Sequence, residues 1–183
     1  MTLHHFTCLL HLPEVYREGI TRGEIPIDPR IPYASIPMAA NLTTNPDRDT
    51  QRRVWAGGSR LAFDKTRLRL TVEMPLHELL TYRQLRERFR IKSRFVKALA
   101  PVTERGHWFY AFAGVKPCQI VRYEMWTRVG GMYEEIAAEL MPECAAEIEA
   151  ERKRINFEQV GHIMRFDDAN SWLLDNVEMA VAG

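Results

Sequence analysis

Little in this chain is extreme, and each shortage removes a class of protein. Three cysteines in 183 residues, Cys8, Cys118 and Cys144, are too few and too scattered for a disulfide framework. They suit a reducing compartment, where a free thiol behaves as a small buried hydrophobe. Lys plus Arg (25) nearly cancel Asp plus Glu (24), leaving a net charge of +1. No global field therefore draws the chain to nucleic acid or membrane, and any basic surface must be local. No apolar run approaches the ~20 residues of a membrane span. The first dozen residues also lack a basic-then-apolar signal pattern, so the expected compartment is the cytoplasm, without a membrane partner. There is no internal repeat and no low-complexity stretch. Neither a GxGxxG nor a Walker sequence is present, which disfavours Rossmann and P-loop folds. His5, Cys8 and His11 have ligand-like spacing, but zinc normally takes four ligands and no second Cys/His pair lies near, so no metal is expected.

The chain is 46% hydrophobic, enough for one domain with a full core. Residues 3–8 read as a strand and 12–18 as a helix stopped by Gly19. Pro26, Pro29, Pro32, Pro37 and Gly23 make 20–37 an ordered loop without regular structure, a length that is usually functional. Residues 38–43 read as a strand, and Asn45-Pro46-Asp47 turns the chain into a helix over 48–55. The alternation Thr66-Arg67-Leu68-Arg69-Leu70-Thr71-Val72 marks a half-buried strand. Residues 76–99 read as helix in two pieces, and the aromatic runs 108–113 and 120–126 as two strands with a turn. Gly130-Gly131 opens a long acidic helix, interrupted by Pro142, and 167–180 is a docking helix. Strands and helices alternate without a βαβ rhythm, which favours α+β.

Two segments carry the functional reading. Leu3-His4-His5-Phe6-Thr7 is a histidine-bearing strand leading into Leu12 to Glu18 and the pair Gly19-Ile20. Asn41-Leu42-Thr43-Thr44-Asn45-Pro46-Asp47 is a second strand ending in hydroxyls and a turn. Together they resemble the DarT-like branch of the ADP-ribosyltransferase superfamily. Its His-apolar-Thr strand leads into a short helix ending near a Gly-apolar pair. The resemblance implies one ADP-ribosyltransferase-like α+β domain over 1–183, a split mixed or antiparallel sheet with flanking helices, and C-terminal helices from about 130 packed on it. It also implies NAD, as substrate, in a cleft floored by His5 and Thr43 and covered by the 20–37 loop.

Adjacent strand side chains face opposite sides, and the His-apolar-Thr pattern selects His5, with Thr7 on its face, to hold the NAD ribose. Thr43 and Thr44 orient the nicotinamide end; their alternative use is as turn and helix caps. The resemblance implies further that Arg30 would neutralise pyrophosphate or assist the acceptor, and that Tyr33 would stack on the cationic nicotinamide ring. The family's catalytic glutamate opens a strand leading to an apolar-Pro turn, here Glu104-Arg105-Gly106-His107-Trp108 followed by Val115-Lys116-Pro117. A direct count places His107 at its position, Glu104 lies three residues upstream, and Glu124 lies one strand later. Glu104 or His107 therefore takes the carboxylate's place.

Arg83, Arg86, Arg88, Arg90, Lys92, Arg94 and Lys97 form a basic run opposed by Glu87. Arg83, Arg86, Arg90 and Arg94 would grip a nucleic-acid or protein acceptor, with phosphates held and no base read. The plainer use of the run is a solvated helix neutralised by the glutamates of 134–151. The expected activity is transfer of ADP-ribose from NAD to a macromolecular acceptor, a nucleic-acid base or a protein side chain. The alternative is a catalytically inactive interaction protein of that fold, binding a partner through its basic helix or proline-rich loop. A third, related reading is RNA 2′-phosphotransferase chemistry, which also uses NAD on this fold and brings further arginines and histidines around the cleft.

Overall fold

The computed structural model describes residues 1–21, 24–26, 35–37, 39–56, 64–91, 102–127 and 129–154. In order these form β1 (Thr2–Thr7), α1 (Leu12–Glu18), β2 (Glu24–Pro26), β3 (Ser35–Pro37), β4 (Ala40–Thr43), α2 (Arg48–Ala56) and β5 (Leu68–Glu73). There follow β6 (Leu79–Thr81), α3 (Tyr82–Arg88), β7 (Trp108–Ala111), β8 (Ile120–Thr127), β9 (Met132–Glu135) and α4 (Met141–Arg154). Seven strands form one sheet in the order β6-β7-β4-β1-β5-β8-β9, and β2 pairs β3 separately. The pairs β1–β4, β4–β7, β6–β7 and β8–β9 are antiparallel. No helix among the described residues is long and apolar enough to cross a membrane.

The chain divides into two compact units. The first comprises 1–5, 18–47 and 71–121, the second 6–17, 48–70 and 122–183. In the first, Leu42 lies opposite Phe109, and Ala111 lies between Ala40 and Leu79 on its two neighbouring strands. These side chains are at most 8% exposed, so the strands share an apolar face. Gly19 ends α1 at φ 78, where a Cβ would run into the Val115 carbonyl, and Gly114 at φ 72 would meet Ile20 in the same way. Only glycine allows the two chains to close the Ile20–Val115 bridge. In the second unit α4 buries Met141, Cys144, Ala145 and Ile148, an i, i+3, i+4, i+7 stripe, and its Arg152 bonds Glu14 of α1 at 3.1 Å.

Several expected elements differ. Residues 24–26 and 35–37, expected to be irregular, pair as a two-stranded ribbon; Pro26 and Pro37 stand at strand ends, where a missing N–H costs least. The helix expected over 76–99 begins with a 3₁₀ turn at 76–78 and strand β6, and only then becomes α3. The start of α3 is fixed by a capping box, Thr81 with Gln84. The long acidic helix expected from Gly130 is a strand, β9, followed by α4, with Pro142 in the first turn, where its missing N–H is harmless. Residues 155–183, including the docking helix, lie outside the described residues.

Candidate functional site

The three strands that carry the expected motif residues are neighbours, β1, β4 and β7. Their register is His4 opposite Thr43, and Thr43 opposite Trp108. Strand alternation then divides the candidates into two faces. His4, Thr43, Trp108, Asn41 and Tyr110 share one. His5, Leu42 and Phe109 follow the other. The expectation that His5 and Thr43 floor one cleft is therefore corrected: with His4 opposite Thr43, the side chains of His5 and Thr43 alternate to opposite sides of the sheet.

Thr43 has a local task. It is 3% exposed, and its Oγ1 accepts the Asn45 N–H at 3.0 Å, which folds the chain out of β4. Asn45 continues the turn by accepting the Asp47 N–H at 3.0 Å. Thr44 reaches instead to β7. Its N–H donates to the His107 carbonyl at 2.9 Å, and its hydroxyl meets His107 Nδ1 at 2.8 Å. Asn45 Nδ2 donates to Glu104 Oε2 at 3.0 Å. Glu104 closes a 3₁₀ turn at 102–104 and is 6% exposed, while His107 is exposed. Residues some sixty positions apart are thus joined by two side-chain hydrogen bonds at the β4–β7 end. Glu104 thus lies in a 3₁₀ turn four residues before β7.

His5 follows His4 on β1. Its Nδ1 lies 2.8 Å from the Asn41 carbonyl, which can only accept, so Nδ1 carries a hydrogen and donates. His4 Nδ1 is 3.5 Å from the Thr71 hydroxyl, a long contact. Thr7 ends β1, half-buried, in the second unit. Arg30 and Tyr33 lie outside the described residues, as does Arg94. On the His4 face, Asn41 Oδ1 and the Tyr110 hydroxyl are buried on opposing residues without a hydrogen-bond partner among the described residues. Burial, with a smaller contribution from Tyr82, pushes the Tyr110 phenol far above its ordinary range, so it stays protonated.

Sequence reasoning missed a polar cluster in the second unit. Arg48 donates to Asp64 at 2.7 Å and its guanidinium lies 4.3 Å from the Trp126 ring centre. Asp64 also accepts the Thr66 N–H at 2.8 Å and the Thr66 hydroxyl at 2.6 Å. Arg69 grips Glu124 through Nε (2.9 Å) and a terminal nitrogen (2.8 Å) and stacks on Tyr133. The Tyr133 hydroxyl donates to the Thr66 carbonyl at 2.6 Å. Glu124, the third candidate weighed for the catalytic position, is thus clamped in a bidentate pair at 6% exposure and serves the fold. The visible signal was the alternation of Arg67, Arg69, Arg122 and Glu124 on one strand face each; the pairing across strands was not in the sequence.

Arg83, Arg86 and Arg90 line a single cavity beside α3. Arg83 pairs with Glu87 of its own helix at 2.9 Å, and Arg152 and Arg154 take Glu149 and Glu151 within α4. No group of three or more histidines, cysteines or carboxylates able to hold a metal occurs among the described residues. No family model, curated protein or solved structure matches the chain.

Proposed function

We propose that the chain is an NAD-dependent ADP-ribosyltransferase with a macromolecular acceptor, on an ADP-ribosyltransferase-like fold. The observation that supports this reading most is the adjacency of β1, β4 and β7, with Thr44 bonded to His107 and Asn45 to Glu104. A histidine strand, a threonine strand and an acid-bearing turn would be scattered if the motif were accidental. Here they are consecutive in the sheet.

In this reading His5, whose Nδ1 bonds the Asn41 carbonyl, holds the NAD ribose. Tyr33 stacks on nicotinamide and Arg30 faces the pyrophosphate. The C–N bond between nicotinamide and ribose breaks, and the electron pair leaves with nicotinamide. Positive charge develops on the ribose ring, and the Glu104 carboxylate stabilises it. His107, aligned by Thr44, orients Glu104's turn and is placed to accept the acceptor's proton as the new bond forms at the ribose carbon.

The test is calorimetric titration with NAD, read beside nicotinamide release. His5→Ala should lose saturable binding, and Glu104→Gln should bind NAD and release no nicotinamide. A second reading, a non-catalytic binder, draws on the tie between Glu104 and Asn45 at 6% exposure. Binding without release in the wild type would select it.

A further inference from the structure

Charge in this near-neutral chain is locally uneven around α3. Arg83, Arg86 and Arg90 line a cavity of about 550 Å³ with Tyr82, Glu87 and Ile91. Arg105 brings a fourth guanidinium, 5.5 Å from the centre of the Tyr82 ring. Glu87 is the one carboxylate among the described lining residues, and Arg83 already engages it at 2.9 Å. Among the described lining residues three arginines thus stand beside one carboxylate.

Arg90 separates a binding use of these arginines from a structural one. The helix ends in a Schellman turn, in which the Ile91 N–H donates to the Arg86 carbonyl at 3.1 Å and the Arg90 N–H to the Glu87 carbonyl at 3.4 Å. Those bonds occupy the Arg86 and Glu87 carbonyls, so neither needs a cation to cap it. The same turn holds Arg90 at φ 51, where glycine is the ordinary choice and any side chain costs free energy. No other non-glycine residue among the described residues has a positive φ. The Arg90 side chain is exposed and has no hydrogen-bond or ion-pair partner among the described residues. It is held at a strained position, it caps nothing, and it stands at a cavity with other arginines. Stability does not account for it.

We infer that this cavity binds a phosphate ester, with Arg86 and Arg90 on the phosphate oxygens and Tyr82 as its apolar wall. The planar guanidinium fork matches two phosphate oxygens at once, and the volume falls in the range of small-ligand sites. The phosphate comes from a free nucleotide or from the phosphodiester backbone of a single strand. NAD cleavage at β1, β4 and β7 is a separate matter, and either reading survives the failure of the other.

The experiment follows anisotropy of a fluorescein-labelled ten-residue oligothymidylate at low and high salt, with ADP as competitor. Wild type should bind, more weakly as salt rises. Arg90→Gly should bind at least tenfold more weakly while melting at the same temperature or higher, because glycine relieves the left-handed strain. Arg90→Asn, which also tolerates that region, serves if the glycine variant is poorly behaved. Arg86→Gln should lose a similar factor, and Arg83→Gln, whose arginine is committed to Glu87, less than threefold. Displacement by ADP assigns the cavity to a mononucleotide, and binding of the strand that ADP does not displace assigns it to a phosphodiester. Unchanged affinity in Arg90→Gly and Arg90→Asn, or no binding of either probe to wild type, overturns the inference.

Discussion

Thr43 and Thr44 are adjacent in sequence and opposite in use. Both were legible as hydroxyls at a strand end, but which of them faces His5 depends on the pairing of β1 with β4, and a one-residue change of register would exchange them. With His4 opposite Thr43, the account expects Thr43→Val to lose about 1 kcal/mol through the Asn45 N–H it leaves unpaired, with NAD affinity unchanged. Thr44→Val should keep most of its stability and weaken NAD binding, since His107 loses its partner. Denaturant melts beside NAD titrations of both variants check this; the reverse pattern would return Thr43 to the cleft. His11 supports a pH prediction. Burial lowers its pKa from 6.5, against a smaller opposing pull from Glu14, 3.6 Å away. The unfolded chain then binds the proton more readily than the native one, so stability rises with pH in this window. The contribution is intact above about 6.5 and is lost as pH falls below it. Urea denaturation at pH 8 and pH 5.5 should show a smaller difference in His11→Gln than in wild type.

Elements were readable where local pattern and tertiary need agreed. α1 with its Gly19 stop, β5 with its period of two, and the aromatic β7 and β8 all fall within a few residues of expectation. β9 did not, because Met132–Glu135 is rich in glutamate and follows two glycines. Pairing with β8 overrides that composition: Tyr133 lies opposite Trp126 with ring centres 5.2 Å apart, and Arg69 and Arg122 take the facing Glu124 and Glu135. α3 had a readable start, since Thr81-Tyr82-Arg83-Gln84 is a capping-box sequence hidden inside a longer apparent helix. The link from α2 to the segment before β5 rests on Asp64, whose carboxylate holds Arg48 and both Thr66 donors. Asp64→Ala should therefore destabilise by about 3–5 kcal/mol, as loss of one partner leaves a buried guanidinium uncompensated. Denaturant unfolding measures it, and a cost under 1 kcal/mol would show that solvent already screens the pair.

For the whole molecule, a sheet in the order β6-β7-β4-β1-β5-β8-β9 places the amino-terminal strand near the centre. That order could not be read from the chain, because strand neighbours such as β4 and β7 are separated by about sixty residues and local patterns carry no long-range pairing. Motif residues were legible as types, and their convergence was not. Convergence is what supports the NAD reading, and it makes His5 the residue on which that reading stands or falls. The most direct measurement is calorimetric titration of wild type and His5→Ala with NAD, both variants first shown to be folded by their melts. The account predicts saturable binding to wild type and its loss in the variant, at a stability cost of about 1 kcal/mol for the bond to the Asn41 carbonyl. Equal affinity in the two proteins, or no binding to wild type at millimolar NAD, would contradict it.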